Sequence, residues 1–190
     1  TAVMAGETFT QGKGRIGGAD WFPFRWQRPP NTNGTIIPGG RVSVALHVGV
    51  TGANPATAFF DLWASKNGGA YALVPDTCTA TGVCLASGAL AHDSVLNGRI
   101  LPQVETTYIA GRVVARQPTT AIDLSQGSET NFLFYVGVGA DVVAGTDTFR
   151  FRLQRRSDQV MNTYSAGADV LLSVVKPGRF FVSGPAFSTE

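Results

Sequence analysis

Between Arg41 and Val50, Val42, Val44, Leu46, Val48 and Val50 alternate with Arg41, Ser43, Ala45, His47 and Gly49. A period of two over ten residues predicts a strand with one buried side and one polar side. That pattern places His47 on the polar side, as a solvated or intersubunit residue. The stretch Asp147-Thr-Phe-Arg-Phe-Arg-Leu153 repeats the alternation, with Phe149, Phe151 and Leu153 inward and Arg150, Arg152 and Gln154 outward. Asn131-Phe-Leu-Phe-Tyr-Val-Gly-Val138, with 147–153, predicts a second antiparallel pair joined by a Gly-containing loop. Ala58–Ala64 and Ala70–Val74 flank Asn67-Gly68-Gly69. Asn-Gly between two β-prone runs is a hairpin signal.

Further strands are expected at 106–110, 168–175 and 179–182. Trp21-Phe-Pro-Phe-Arg-Trp26 is β-prone but interrupted by Pro23, which suits an edge strand or a bulge. Residues 76–104 form a long irregular connection of the kind that carries function or an interface. No window of ten residues has a helical period. Seven to nine strands with Gly-rich turns predict an all-β antiparallel β-sandwich, jelly-roll or Ig-like, with extended N- and C-terminal arms.

The ends of the chain set the domain boundaries. Residues 1–20 are Gly-rich with few large apolar groups, among them Val3, Phe9 and Ile16, and read as an N-terminal arm. Residues 21–177 are the sandwich domain, and 178–190 an apolar tail carrying Phe180, Phe181 and Phe187. Exposed phenylalanines at a chain end are a liability, so the tail should be buried in this subunit or a neighbour. The arm, the tail and the outward Arg150 and Arg152 are therefore the expected inter-subunit contacts.

Composition narrows the class. Hydrophobic residues are 44% and charged residues 15% of the chain, so it is globular rather than disordered, with a surface built mostly on small polar groups. Sparse charge lowers the repulsion between closely packed copies. A net charge of +2 argues against nucleic acid as a partner. The basic residues are lopsided, 12 Arg against 3 Lys, which fits either planar interface contacts or a GC-rich genome. No segment reaches the roughly 20 apolar residues of a membrane helix. The start Thr1-Ala2-Val3-Met4 has no signal-peptide pattern, so either a signal or an initiator Met was removed.

Candidate chemistry is thin. Cys78-Thr-Ala-Thr-Gly-Val-Cys84 can close a local disulfide, with free thiols as the alternative; it has no second cysteine pair for a metal set. Oxidation would favour an extracellular setting. His92-Asp93-Ser94 holds triad residue types, but neighbours in sequence cannot line up as nucleophile, base and orienter. Carboxylates are scattered singly, and a loop calcium site near Asp141 and Asp147 stays open. No catalytic residue, metal ligand or cofactor is assigned. Trp63 and Tyr71 are candidate platforms for ligand stacking, with core packing as the alternative for Trp63.

Taken in order, Phe24-Arg25-Trp26, Arg41-Val-Ser-Val, Phe60-Asp-Leu-Trp, Asn67-Gly-Gly-Ala-Tyr, Gly127-Ser-Glu129, Asp147–Leu153 and Thr163-Tyr164 resemble a β-sandwich module of phage virion proteins and bacterial surface appendage proteins. The likeness spans about residues 20–175 and implies a structural or attachment role. The expected function is a non-enzymatic structural subunit of a large repetitive assembly. It would be a capsid decoration or tail protein, or an extracellular filament subunit, located on a virion or cell surface. Its partners would be further copies of itself and another virion or surface protein. The alternative is a carbohydrate-binding or adhesin module.

Overall fold

In a computed structural model, the structure describes residues 9–11, 15–18, 33–51, 56–101, 105–156, 159–160, 163–164 and 169–177. These residues form strands and turns and no helix. In chain order the strands are β1 (Phe9–Gln11), β2 (Arg15–Gly18), β3 (Gly34–Ile36), β4 (Arg41–Val50), β5 (Ala56–Ala58) and β6 (Phe60–Lys66). They continue with β7 (Tyr71–Leu73), β8 (Val83–Leu85), β9 (Val95–Leu96), β10 (Thr107–Tyr108), β11 (Gly111–Val114) and β12 (Ile122–Leu124). The last are β13 (Ser128–Val138), β14 (Thr148–Arg155), β15 (Gln159–Val160), β16 (Thr163–Tyr164) and β17 (Val170–Val174).

Two sheets face each other, giving an all-β, sandwich-like architecture. Sheet A runs β16-β1-β4-β13-β11-β9, with β2 also on β4, and β8 and β10 also on β13. Sheet B runs β3-β17-β14-β6-β7, with β15 on β14, while β5 and β12 form a separate two-stranded ribbon. The long strands carry the β-branched and aromatic residues that suit a pleated, packed surface. Between the layers, Val42, Val44, Leu46 and Val48 of β4 and Phe132, Phe134 and Val136 of β13 meet Phe60 and Leu62 of β6 and Phe149, Phe151 and Leu153 of β14. The Phe60 and Phe132 rings, one from each layer, lie 5.3 Å apart.

The Asn67-Gly68 hairpin forms as expected. Asn67 and Gly68 both take positive φ, 53° and 75°, the two left-handed residues of a type I′ turn whose twist matches the flanking strands. Three expectations are corrected. First, 131–138 and 147–153 are not a pair: β13 hydrogen-bonds β4, and β14 hydrogen-bonds β6 and β17. The chain crosses between layers over 139–147, where Gly139 and Asp141 donate to Gly82 and Ala80 carbonyls at 2.9 and 2.8 Å. Second, the sheets are mixed rather than antiparallel: β10 and β11 run parallel to β13, β3 to β17, and β1 to β16. Third, the supposedly polar side of β4 is buried, with Ser43 and Ala45 covered and His47 only 1% exposed.

Over Ala45 and Gly49 that cover comes from the connection 86–106, here called the strap, of which 86–101 and 105–106 are described. It folds back over the outer face of sheet A and closes a second small core of Ala45, Leu96, Leu101, Val113, Leu133 and Tyr135. Alternate residues of β13 hold it. Tyr135 Oη accepts from Leu90 N–H at 3.2 Å, and Asn131 Oδ1 accepts from Ile100 and Leu101 N–H at 3.2 and 3.1 Å. Glu129 accepts from Glu105 N–H at 2.9 Å and is ion-paired with Arg99. Central strands covered on both faces read as continuously apolar, which is the pattern of β13 from Phe132 to Val138.

Cys78 and Cys84 are disulfide-bonded. Closing so short a loop contributes about 2 kcal/mol in the chain-entropy view. Replacing both cysteines by serine is therefore expected to lower the unfolding free energy by about that amount, read from urea titrations.

Candidate contact face

Because Phe60, Leu62 and Ala64 of β6 point into the core, Asp61, Trp63 and Ser65 point away from it. The β6–β14 register sets Arg152 opposite Trp63, Arg150 opposite Ser65 and Gln154 opposite Asp61. On the other side, Leu73 of β7 stands opposite Trp63 and Tyr71 opposite Ser65. Simple alternation thus gathers Trp63, Tyr71, Arg150 and Arg152, each singled out from sequence, on the outer face of sheet B.

Their side chains are organised. The Arg152 guanidinium lies over the Tyr71 ring at 3.8 Å from its centroid, a cation–π contact. The Tyr71 hydroxyl donates to Asp169 Oδ2 at 2.8 Å. Burial, with the Asp169 hydrogen bond second, pushes the Tyr71 phenol well above its ordinary value. It therefore stays a donor through the physiological range. Leu73 at the rim is 49% exposed, while Arg150 is exposed and Leu171 half-buried. The Trp63 indole Nε1 is buried with no hydrogen-bond partner among the described residues. Leu73 and Asp169 were not legible as site residues, since only the register and the fold bring them here.

Of the remaining expected contact residues, Val3, Phe180, Phe181 and Phe187 lie outside the described residues, as do 21–26 and 179–182. The backbones of Phe9 and Ile16 are strands β1 and β2, in register with Val50 and Val44 of β4 in the same chain.

The loop near Asp141 and Asp147 is organised around an ammonium group. Lys66 Nζ sits 2.9 Å from Asp147 Oδ2 and donates to the Thr81 carbonyl at 2.9 Å, joining β6, the interlayer crossing and the disulfide loop. The Val143 N–H, the Asn67 amide at 2.8 Å and Lys66 together lower the buried Asp147 carboxyl from 3.8 to about 2. With the folded value depressed, the stabilisation is complete above the ordinary carboxylate range and is lost as pH falls toward about 2. Urea midpoints between pH 5 and pH 2 should therefore fall more steeply for the wild type than for Asp147→Asn.

Beside the disulfide, an open cleft of about 460 Å³ is lined by Gly39–Arg41, Asp76–Ala80 and Gly137–Ala140. Its walls bring one guanidinium and one carboxylate, those of Arg41 and Asp76, with no nucleophile–base pair. Among the described residues, no three His, Cys, Asp or Glu side chains gather as a metal site requires. Nor is any helix there long and apolar enough to cross a membrane.

Comparison with protein-family models, curated proteins and solved structures finds no match for this chain.

Among the described residues the most distinctive chemistry is thus a surface of stacked arginine, aromatic rings and exposed leucine. Tyr, Trp and Arg are the residues enriched where proteins bind proteins.

Proposed function

We propose that this chain is a non-enzymatic structural subunit of a large repetitive assembly, located on a virion or an extracellular surface. It would serve as a capsid decoration or tail protein, or as a filament subunit. The observation that carries the reading is the outer face of sheet B, where Arg152, Tyr71, Trp63 and Leu73 form a preorganised surface. Low overall charge supports close packing of copies. Within this reading the sandwich is of jelly-roll or Ig-like type. The segment 178–190 and the part of 1–20 outside β1 and β2, which are paired to β4 of the same chain, act as arms, and short strand edges such as β3 and β7 add further contacts.

Size-exclusion chromatography with light scattering tests it. Wild-type protein at high concentration should exceed the 20.0 kDa of one chain, and Leu73→Lys should reduce the assembled fraction without loss of folding. A wild-type protein that stays monomeric at every concentration overturns the proposal.

Carbohydrate binding is the second reading, favoured by Trp63 and Tyr71 sharing one face. Against it, Arg152 already covers one face of the Tyr71 ring, and Asp169 takes its hydroxyl. Glycan-array binding abolished by Trp63→Ala in a folded protein would favour this reading instead.

A further inference from the structure

The ring closed by Cys78 and Cys84 grips two other elements through three consecutive carbonyls. Ala80 O accepts from Asp141 N–H at 2.8 Å, Thr81 O from Lys66 Nζ at 2.9 Å, and Gly82 O from Gly139 N–H at 2.9 Å. The first and third hold the crossing between layers, and the second holds β6. The crossing runs so close to the ring that a methyl group on Gly139 would overlap the backbone oxygens of Thr79 and Ala80. Gly139 in turn accepts from Gly39 N–H at 3.0 Å, which ties the turn before β4 to the same corner. Residues 76–82 belong to no strand. Within the ring, their shape is held by the disulfide and one turn bond, Gly82 N–H to Thr79 O at 3.3 Å.

The two sulfurs are unequal. Both cysteines line the open cleft, but Cys78 is exposed, whereas Cys84 is only 4% exposed. Cys84 also sits in β8, in register with Gly137 of β13. Which sulfur a thiol attacks depends on access.

We propose that Cys78 is a site of thiol–disulfide exchange, and that opening the ring there by a dithiol releases the crossing 139–147 while the two sheets stay folded. The thiolate of the dithiol attacks the Cys78 sulfur. A mixed disulfide forms as the Cys78–Cys84 bond breaks, and Cys84 leaves as a thiolate that takes a proton. The second thiol of the reagent then displaces Cys78, so the dithiol is oxidised to its own disulfide and both cysteines are reduced. β8 keeps Cys84 on β13, so the freed segment is 78–82, which carries the three gripping carbonyls. Release stays local because the core between the sheets contains neither cysteine, and elements with few buried apolar contacts open first.

Hydrogen exchange followed by NMR, with and without dithiothreitol, tests the release. Protection of the Gly139 and Asp141 amides is expected to fall on the order of tenfold on reduction, the scale of freeing a short loop, while the amides of β4 and β14 hold. Cys78→Ser combined with Cys84→Ser should reproduce the reduced pattern with no thiol present. Brief treatment with glutathione, stopped by alkylation and read by peptide mass mapping, tests the site of attack. Glutathione is expected on Cys78 and the alkyl group on Cys84. Crossing protection that is unchanged in the reduced protein, or a loss shared equally by β4 and β14, overturns the proposal. So does glutathione carried mainly on Cys84, or a disulfide that the dithiol leaves intact in the folded protein.

Discussion

Phe132→Ala is expected to lower the unfolding free energy by about 3–5 kcal/mol, the usual cost of emptying a large aromatic site in a packed core. The Phe132 ring is fully buried on the central strand of sheet A. It meets Phe60 of the opposite layer at 5.3 Å and Phe134 of its own strand at 6.2 Å. Neighbours drawn from two hydrogen-bonded sheets cannot collapse into the space without breaking register. Urea titration should show a lower midpoint with an unchanged slope. Val143→Ala, at an exposed site, should stay within about 0.5 kcal/mol. A loss below about 1 kcal/mol for Phe132→Ala would mean that the two sheets are not packed on each other at this point.

The second large effect is expected at Gly111, where β11 leaves the strap region and joins β13. A methyl group at this position would overlap the backbone carbonyl oxygen of Asn131, a group that cannot swing aside. Gly111→Ala should therefore cost about 3 kcal/mol, the upper end of ordinary overpacking. Its effect should extend to the strap, because the same Asn131 holds Ile100 and Leu101. Gly98→Ala provides the contrast: a methyl there meets nothing within 4 Å, and its effect should stay within about 0.5 kcal/mol. Equal effects at both glycines would contradict the close approach of β11 to β13.

The sequence made the layers legible and their partners less so. Alternation in 41–50 and 147–153 identified β4 and β14 correctly, because a period of two survives in any strand with a buried side. It did not reveal that the other side of β4 is buried as well. Ser43, Ala45, His47 and Gly49 are small or polar, and residues of that kind fit equally under water or under a strap. The strap itself was legible only as a long irregular connection. Its hold on Asn131, and in part on Glu129, depends on backbone N–H groups, which leave no trace in residue types.

The pairing of 131–138 with 147–153 was misread because a short Gly-containing loop serves a hairpin and a crossing between layers alike. Here the Gly139 and Asp141 amides are tied to the disulfide loop, which directs the chain across rather than back. Parallel neighbours such as β11 and β13 are close in sequence, and nothing in their composition marks direction. On the candidate face, Trp63, Tyr71, Arg150 and Arg152 were each visible as residue types. Their convergence follows from the β6–β14 and β6–β7 registers, and only the fold supplies those.

Electron microscopy of the protein in its native material, at a resolution that places each sheet, tests the proposed role most directly. The expected result is a regular array in which the outer face of sheet B, with Arg152 over Tyr71 beside Trp63, lies against a neighbouring subunit. Isolated copies, or an array in which that face is turned to solvent on every subunit, would contradict it.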